Sequence, residues 1–338
     1  MKIFLAGNIG AEERLVLLYR ILLRRLFSYF YKEIYNSERK IMKNKQIELF
    51  IDSGAFSAWT QKVEIDIKEY IAFIKKYSKD ISVYANLDVI GSAEETFKNQ
   101  KIMEKAGLRP LPCFHYGEPI KYLKKYLEDY EYIALGGMGG RKGGISLWMD
   151  DLFENYLTDS KGMPIVKVHA FGVTSLRAIM RYPWYSVDST SWIVSSGLGF
   201  VYVPRYRSGK YIYDQNSWKV VVSSKSPDKK AGEHIEAFSP KQQEIIFNYF
   251  KSKGFSLGKS EYKFENEGYE LKENEKFISK ANENGKREVE IRIEKGLCNN
   301  YMDRDQLNAM YFLDLEKAIP KWPCPFIKKK TTGGFGLC

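Results

Sequence analysis

The sequence predicts an α/β protein, a (β/α)₈ TIM barrel followed by a small C-terminal α+β appendage. Strand-like and helix-like segments alternate over about eight units in the first two thirds of the chain, which is the pattern of such a barrel. Most strand-like runs are continuously apolar, as is typical of parallel strands that are covered on both faces. Beyond about residue 215 the apolar content falls and lysine and glutamate become dense, which indicates a smaller, different module.

Eight runs are predicted to be strands, and they cover residues 2–6, 47–51, 81–87, 111–116, 132–135, 165–171, 185–187 and 200–206. Helices are predicted between them at residues 67–77, 93–106, 120–130, 147–156 and 175–180. A doubly wound open sheet is the competing fold. It is disfavoured because no glycine-rich dinucleotide-binding fingerprint follows an early strand, and the turn Gly7-Asn8-Ile9-Gly10 is too weak to supply one.

An apolar stretch at residues 15–30 is predicted to be an amphipathic helix that covers the sheet. Its apolar side chains recur at spacings of three and four: Leu15, Leu18, Leu22, Leu26 and Tyr29. Arg20, Arg24 and Arg25 interrupt the stretch and no small-residue cleavage site follows it, so it is predicted to be neither a signal peptide nor a membrane span. A role at a membrane surface is the alternative, but no membrane partner is expected.

Two domains are expected, a barrel over residues 1–215 and a basic α+β appendage over residues 216–338 that binds nucleic acid. Ser239 and Pro240 are predicted to begin a helix that ends near Lys253, because proline suits the first helical position. Residues 288–293 alternate between polar and apolar and are predicted to form a half-exposed strand. The tail, residues 328–338, is basic and then glycine-rich, and we expect it to be mobile or to contact a phosphate backbone.

The charge balance favours a polyanionic partner. The chain has 338 residues, with 53 Lys and Arg against 42 Asp and Glu, a net charge of +11, and nucleic acid is the first candidate. The four cysteines, Cys113, Cys298, Cys324 and Cys338, lie far apart, without the close spacing of zinc or redox pairs. We therefore expect free thiols and a cytoplasmic location.

Polar and small residues stand at the predicted strand ends. Because the carboxyl ends of barrel strands converge on one face, a single pocket is predicted from Asp52, Asp88, His115, Gly136, Gly137, His169 and Asp188. Carboxylates held together raise one another's pKa, which gives a site both an ionised nucleophile and a protonated partner near neutral pH. Each residue also has a plainer interpretation: a helix N-cap for an aspartate, a turn for the glycines, a core position for a histidine.

Three motifs carry a resemblance to a known family. They occur in order at strand ends: Asp52-Ser53-Gly54-Ala55-Phe56, Ile133-Ala134-Leu135-Gly136-Gly137-Met138 and His169-Ala170-Phe171-Gly172-Val173. Over residues 45–192 the chain resembles the tRNA-guanine transglycosylase superfamily, most of all its phage and bacterial DNA-guanine transglycosylases. The resemblance implies exchange of guanine in DNA for a 7-deazaguanine, such as 7-cyano-7-deazaguanine, through a covalent glycosyl-aspartate. It implies no cofactor besides that base, and action in the host cytoplasm if a phage encodes the protein.

The resemblance also implies roles for individual residues. Asp188 would be the nucleophile at the sugar C1′, and Asp52 the general acid/base. The remaining implied residues bind the base: Phe56 and Phe171 on its two faces, Asp88 on its N–H edge, His115 at the exocyclic oxygen, and Ser53, Gly136 and Gly137 around it. Glycine lets the backbone approach a ligand because it lacks a Cβ.

A nucleic-acid substrate needs further contacts. Reaction on a base in a duplex requires that the base be flipped out of the stack. Phosphate contacts are predicted for Arg141, Lys142, Arg205, Arg207 and Lys210. Each of these side chains is equally well interpreted as a solvated charge.

The chain departs from the family at two points. The tRNA enzymes carry a zinc site with a Cys-x-Cys-x-x-Cys run, which the cysteine spacing here does not provide, so neither zinc nor another metal is expected. Asp188 is followed by Ser189-Thr190-Ser191-Trp192 rather than by the family's Cys-Val-Leu-Pro-Thr-Arg. Three alternatives stay open: a tRNA-guanine transglycosylase of unusual form, a non-catalytic nucleic-acid-binding relative and, most distant, a metal-dependent barrel hydrolase.

Overall fold

A computed structural model describes residues 1–10, 12–42, 45–138, 144–173, 175–224 and 233–327 of the chain. The chain divides into two compact units, Met1–Thr190 with Glu316–Cys338, and Ser191–Leu315. The division after Thr190 lies earlier than the predicted boundary at residue 215, and the last residues return to the first unit.

The first unit is built on a parallel sheet of eight strands. They are β1 (Lys2–Ala6), β2 (Arg24–Ser28), β3 (Glu48–Asp52), β4 (Val83–Tyr84), β5 (Cys113–His115), β6 (Tyr132–Gly136), β7 (Lys167–Ala170) and β8 (Ser186–Ser189). Their order is β4-β3-β2-β1-β8-β7-β6-β5, so the first strand pairs with the last, as in a sheet that curls round on itself. A single parallel bridge joins Ala85, after β4, to Leu111, before β5. The fold is TIM-like, without a full ladder between β4 and β5 in the described residues.

Helices flank this sheet. They are α1 (Glu12–Leu18), α2 (Lys32–Met42), α3 (Ala55–Thr60), α4 (Ile67–Tyr77), α5 (Ala93–Lys105), α6 (Ile120–Asp129), α7 (Ile145–Leu152) and α8 (Leu176–Arg181). Side-chain caps begin two of them, since Asp66 accepts the N–H of Lys68 at 2.6 Å and Ser92 accepts that of Glu95 at 3.3 Å. The five helices predicted between the strands are confirmed, and the one at residues 147–156 is α7 continued by a π-helical turn, Phe153–Leu157.

The inward-facing side chains of successive strands form the interior of the curled sheet. This core contains Phe4, Ala6, Leu26, Phe50, Ala85, Leu111, Cys113 and Ala134, and Phe171 packs against it. Burial of these residues contributes about 25 cal/mol per Å² of apolar area removed from water. The strand ends are therefore fixed by a packed core beneath them.

The strand β2 lies within the segment predicted as a helix at residues 15–30, and that prediction is wrong. Only the short helix α1 forms there before the chain enters the sheet between β1 and β3. Arg25 is fully buried in β2, and its guanidinium lies 3.1 Å from the carboxylate of Glu38. The same guanidinium donates to the carbonyls of Leu5 and Gly7. Periodicity along one segment cannot reveal partners that α2 and β1 supply, so tertiary pairing overrode the local pattern.

The predicted strand at residues 200–206 is not part of the parallel sheet, and β2 takes its place among the eight. Instead β9 (Phe200–Val203) pairs antiparallel with β12 (Trp218–Val221) in the second unit. Between them lies a hairpin of β10 (Arg205–Arg207) and β11 (Lys210–Ile212). Its turn residues Ser208 and Gly209 have φ of 49° and 81°, as a tight hairpin turn requires.

The second unit also contains α9 (Ser191–Gly197), α10 (Pro240–Ser252), α11 (Tyr301–Ala318) as far as Leu315, and a sheet of β13 (Lys259–Asn266), β15 (Lys286–Glu294) and β14 (Glu275–Phe277) in that order. The predicted helix after Ser239 is confirmed and begins with a capping box to Gln242. The predicted strand at residues 288–293 lies in β15. Residues 191–315 have 20 Lys and Arg against 18 Asp and Glu, and the rest of the chain has 33 against 24, so the first unit holds most of the positive excess.

No helix among the described residues is long and apolar enough to cross a membrane. The predicted basic and glycine-rich tail at residues 328–338 lies outside the described part of the chain.

Candidate active site

The carboxyl ends of the parallel strands carry most of the residues predicted from the sequence. In chain order these are Asp52 at the end of β3, Asp88 beyond β4, His115 at the end of β5, Gly136 at the end of β6, Phe171 after β7, and Asp188 within β8. Because the strands are parallel, their carboxyl ends open on the same side of the sheet.

A cavity of about 590 Å³ opens at these strand ends. The predicted residues that line it are Asp52, Phe56, Asp88, His115, Gly136, Gly137 and Phe171. Sequence reasoning missed Trp59, Tyr116, Glu118 and Met138, which line the same cavity. Ser53 is not one of its lining residues: it is fully buried, and its Oγ accepts the N–H of Ala55 at 3.4 Å. Ser53 therefore supports the turn that follows β3.

A glycine turn fixes the position of Asp52. The Oδ2 atom of Asp52 accepts the N–H of Gly54 at 3.1 Å. Gly54 has φ 79°, and a Cβ at this position would collide with Ser28 and Phe30. The turn therefore requires glycine, and it packs closely against the end of β2.

The surroundings of Asp52 make its ionisation costly. Burial, followed by the negative charges of Asp88 and Asp188, raises the pKa of Asp52 to about 7. The N–H of Gly54 and the charge of His115 oppose this shift only in part. Asp52 is therefore able to take up or release a proton near neutral pH, as a general acid/base must.

His115 is held between two carboxylates. Its Nε2 lies 3.1 Å from Asp88 Oδ2, and its Nδ1 lies 3.3 Å from Glu118 Oε1. Burial by itself lowers the pKa of His115, but the charges and hydrogen bonds of Asp88 and Glu118 outweigh it and raise the pKa to about 10. The ring is thus a cation that orients Asp88. A Cβ at Gly136 would come within 2.7 Å of this ring, so that position also requires glycine.

This pairing changes the role expected for His115. Reading an exocyclic oxygen needs an available ring N–H, and both ring nitrogens already face carboxylates. The Oδ1 atom of Asp88, by contrast, is buried and has no hydrogen-bond partner within the described ranges. A ligand N–H in the cavity would relieve the free-energy cost of that unpaired acceptor.

Aromatic rings line the mouth of the cavity. Phe56 and Trp59 lie about one turn apart on α3, are 64% and 58% exposed, and have ring centroids 6.1 Å apart. Phe171 lines the cavity from the β7 side, and its ring centroid is 5.8 Å from that of Phe50. Large rings that remain in water beside a cavity are suited to stack on a flat ligand.

Asp188 lines a second cavity, of about 460 Å³. Its other lining residues come from the ends of β1, β2, β3 and β8 and from the helical segments that follow β2 and β3, and they include Gly7, Ser28, Tyr31, Ser57 and Thr190. Asp52 lines both cavities. One carboxyl group of raised pKa therefore stands between a cavity that contains Asp88 and a cavity that contains Asp188.

Asp188 is oriented from the β7 side. Its Oδ1 accepts the N–H of Gly172 at 2.8 Å and lies 3.4 Å from Nε2 of His169. His169 was predicted to line the pocket, but it is fully buried and lines neither cavity. The side chain of His169 therefore acts on the site through residues that it contacts, Asp188 and Phe171.

The predicted phosphate contacts are only partly described. Arg141 and Lys142 lie outside the described residues. Arg205, Arg207 and Lys210 lie on the β10–β11 hairpin of the second unit. Arg205 donates to the carbonyl of Asn216 at 2.8 Å and stacks over the ring of Trp218, Arg207 lies 3.6 Å from Asp214, and Lys210 is exposed. Their role in binding nucleic acid stays a prediction.

Neither a disulfide nor a metal site occurs among the described residues. Cys113, Cys298 and Cys324 are free thiols, and Cys338 lies outside the described residues. No group of three or more His, Cys, Asp or Glu side chains that could hold a metal ion occurs in the part of the chain that the structure describes.

Some of the missed site residues left a signal in the sequence. Trp59 follows Phe56 by three positions, the spacing that places two side chains on one helix face. Glu118 follows His115 by three positions, but only the turn after β5 brings its carboxylate to the ring. No protein-family model matches the chain, and no curated protein matches it.

Proposed function

We propose that the chain is a DNA-guanine transglycosylase, which exchanges guanine in DNA for a 7-deazaguanine base through a covalent glycosyl-aspartate at Asp188.

We further propose that the curled sheet closes into a (β/α)₈ barrel. The bridge between Ala85 and Leu111, with Leu111 N–H donating to the carbonyl of Tyr84 at 2.8 Å, supports closure.

The observation that carries the proposal is the position of Asp52 between two cavities. Base exchange needs a flat pocket for the purine, a nucleophile at the sugar, and a proton carrier between them. The larger cavity has exposed aromatic rings and the unpaired acceptor of Asp88. The smaller has Asp188, and the pKa of Asp52 is raised to about 7. These three neighbouring groups support the proposal, one for each requirement of the reaction.

The reaction follows as two displacements. Asp188 attacks C1′ and forms an ester bond to the sugar while the bond from C1′ to N9 of guanine breaks, and protonated Asp52 gives its proton to the departing purine. The incoming base then loses its N9 proton to Asp52, and N9 bonds to C1′ while the electron pair of the ester bond returns to Asp188. Two inversions retain the configuration of the sugar.

Asp88 and His115 serve recognition in this scheme. The unpaired Oδ1 of Asp88 accepts from the N–H edge of the purine, and His115 keeps the carboxylate in place from its other oxygen. Phe56 and Phe171 contact the faces of the purine. DNA is favoured over tRNA because the chain lacks the Cys-x-Cys-x-x-Cys run of the tRNA enzymes.

The test is an exchange assay with labelled guanine or 7-cyano-7-deazaguanine and, in separate reactions, duplex DNA, single-stranded DNA and tRNA. We expect label in DNA with the native chain and none with Asp188→Ala. The matched control is Asp129→Ala, because this aspartate is 60% exposed at the end of α6, away from the strand carboxyl ends. Label only in tRNA would contradict the DNA assignment, and label in DNA with Asp188→Ala would contradict the nucleophile.

A further inference from the structure

A chain of polar side chains runs from Asp188 into the protein interior. Nε2 of His169 lies 3.4 Å from Asp188 Oδ1, and Nδ1 of His169 lies 2.7 Å from Oγ of Ser186. That Oγ lies 2.6 Å from the hydroxyl of Tyr132. His169 and Ser186 are fully buried, so water does not compete for these contacts.

His169 lies among aromatic rings. Its ring centroid is 4.5 Å from that of Phe50, 4.6 Å from that of Phe171 and 6.2 Å from that of Phe4. Desolvation lowers the pKa of His169, and the neighbouring Asp188 offsets this only in part. The imidazole is therefore neutral at neutral pH, with a proton on one nitrogen only.

The carboxylate of Asp188 decides which nitrogen has that proton, because a carboxylate accepts and does not donate. The ring proton is therefore on Nε2, the nitrogen that faces Asp188. In this tautomer Nδ1 accepts from the hydroxyl of Ser186, and the Oγ atom of Ser186 accepts from the hydroxyl of Tyr132. Nε2 is buried and has no hydrogen-bond partner among the described residues, and Asp188 Oδ1 lies 3.4 Å from it. The N–H of Nε2 is therefore available to that carboxylate.

We propose that His169 is the positioning residue of the nucleophile. It donates from Nε2 to Asp188 Oδ1, beside the N–H of Gly172, so that Oδ2 is the atom that bonds to C1′. This inference rests on the proposed function, since it concerns the two displacements at Asp188. A donor on Oδ1 stabilises the carboxylate form of Asp188, so it speeds the second displacement, in which the carboxylate departs, more than the first.

A pair of amide substitutions separates this role from packing. In His169→Gln the amide nitrogen reaches about the position of Nε2, whereas in His169→Asn it reaches only about that of Nδ1. We expect His169→Asn to slow steady-state exchange by about 10²-fold, the usual loss when one preorganised donor is removed. Because the second displacement slows most, the covalent complex with DNA should accumulate in His169→Asn. His169→Gln should exchange faster than His169→Asn and should not accumulate the complex.

The measurement is the fraction of the protein that migrates with DNA on a denaturing gel, together with the exchange rate and the melting temperature of each variant. If His169→Asn does not fold, Tyr132→Phe is measured in its place. Tyr132→Phe removes one hydroxyl from the hydrogen-bonded series of side chains that begins at Asp188, and it should raise the covalent fraction to a smaller extent. A folded His169→Asn or Tyr132→Phe with the native covalent fraction overturns the inference. So does equal behaviour of the Gln and Asn variants. If the native chain forms no covalent complex with any nucleic acid, the proposed function fails and the inference fails with it.

Discussion

His115 and His169 both lie beside an aspartate at the carboxyl end of the sheet, yet their charges differ. His115 contacts two carboxylates, and its pKa is raised to about 10. His169 contacts one carboxylate among three phenylalanine rings, and its pKa is lowered. The number of neighbouring carboxylates, weighed against burial, therefore decides the protonation state of each ring.

In the proposed function, this difference in charge gives Asp88 and Asp188 different roles. The imidazolium of His115 compensates part of the negative charge of Asp88 and Glu118, which suits a carboxylate that must stay in place and accept a hydrogen bond from a neutral base. Neutral His169 offers Asp188 a hydrogen bond without cancelling the charge that a nucleophile needs. Under the proposed function, the same Asp–His pairing would support recognition in one cavity and bond formation in the other.

The largest effect is expected when Asp188, the aspartate beside neutral His169, is replaced. Asp188→Asn should lower base exchange by about 10⁴-fold or more, because loss of a nucleophile removes the covalent route. It should leave binding of DNA nearly unchanged. Exchange rate and a filter-binding assay measure the two effects, with Asp129→Asn as the matched exposed control. Equal loss in both aspartate variants would show that the assay reports stability and not chemistry.

The next effect concerns Asp52, which stands between the two pairs. Its pKa is about 7, and the first displacement needs its protonated form. The rate of covalent-complex formation should therefore fall about tenfold per pH unit above neutrality, and Asp52→Asn should lose this dependence together with about 10²- to 10⁴-fold in rate. Single-turnover kinetics between pH 5 and 9 measure it. A flat profile with the native chain would rule out Asp52 as the proton carrier.

Asp52 should also affect stability with a defined sign. Its pKa rises from an ordinary value of 3.8 to about 7 in the folded protein. Between these values the folded chain binds a proton that the unfolded chain has lost, so the stability that this group contributes falls as pH rises. Asp52→Asn removes that dependence. The melting temperature of Asp52→Asn minus that of the native chain should therefore increase from pH 5 to pH 8. A constant difference across this range would contradict the raised pKa.

A smaller effect is expected when the ion pair of His115 with Asp88 is weakened. Glu118→Gln removes one of the two carboxylates that raise the pKa of His115, so Asp88 is held less firmly. The KM for the incoming base should rise about tenfold, which corresponds to about 1.4 kcal/mol, and kcat should change less. Glu94→Gln is the control, because that glutamate is 71% exposed on α5. A fall in kcat at constant KM would place Glu118 in the chemical step instead.

The smallest effect leaves both histidine pairs untouched. Trp59→Ala removes an exposed ring at the mouth of the cavity that contains Asp88 and His115. Stacking of an aromatic ring on one base contributes about 1 kcal/mol or more. Affinity for single-stranded DNA should fall about fivefold, with no change in melting temperature. Ile165→Ala is the matched control, since that side chain is 61% exposed before β7, at the opposite end of the strand. Equal affinities of the two variants would exclude Trp59 from the nucleic-acid contact.

The sequence predicted much of the fold because most strands are continuous apolar runs, which need no distant partner to be recognised. It failed at β2, where Arg25 is buried through contacts with Glu38 and with carbonyls of the β1 end. It also failed at residues 200–203, whose apolar pattern fits an antiparallel strand as well as a parallel one. In both cases the distant pairing partner decided the structure.

The candidate site was predictable at the level of residue identity and not of charge state. Asp52, Asp88 and His115 follow from their positions at strand ends, since parallel strands must bring them together. The opposite shifts of the two histidine pKa values depend on burial and on distances to carboxylates from other strands and turns. Such distances exist only in the folded chain, and so the roles of Glu118 and of Ser186 beside His169 could not be read from the sequence.

The division of work between the two cavities is tested most directly by the protonation states of the histidines. The chain contains three histidines, so ¹⁵N chemical shifts can be followed for each one through a pH titration and assigned with His115→Asn, His169→Gln and His234→Gln. His115 should titrate with a midpoint near pH 10, and His169 should titrate below the ordinary histidine pKa and be neutral at neutral pH. If both rings titrate together near pH 6.5, or if His169 is the charged ring at neutral pH, the account is contradicted.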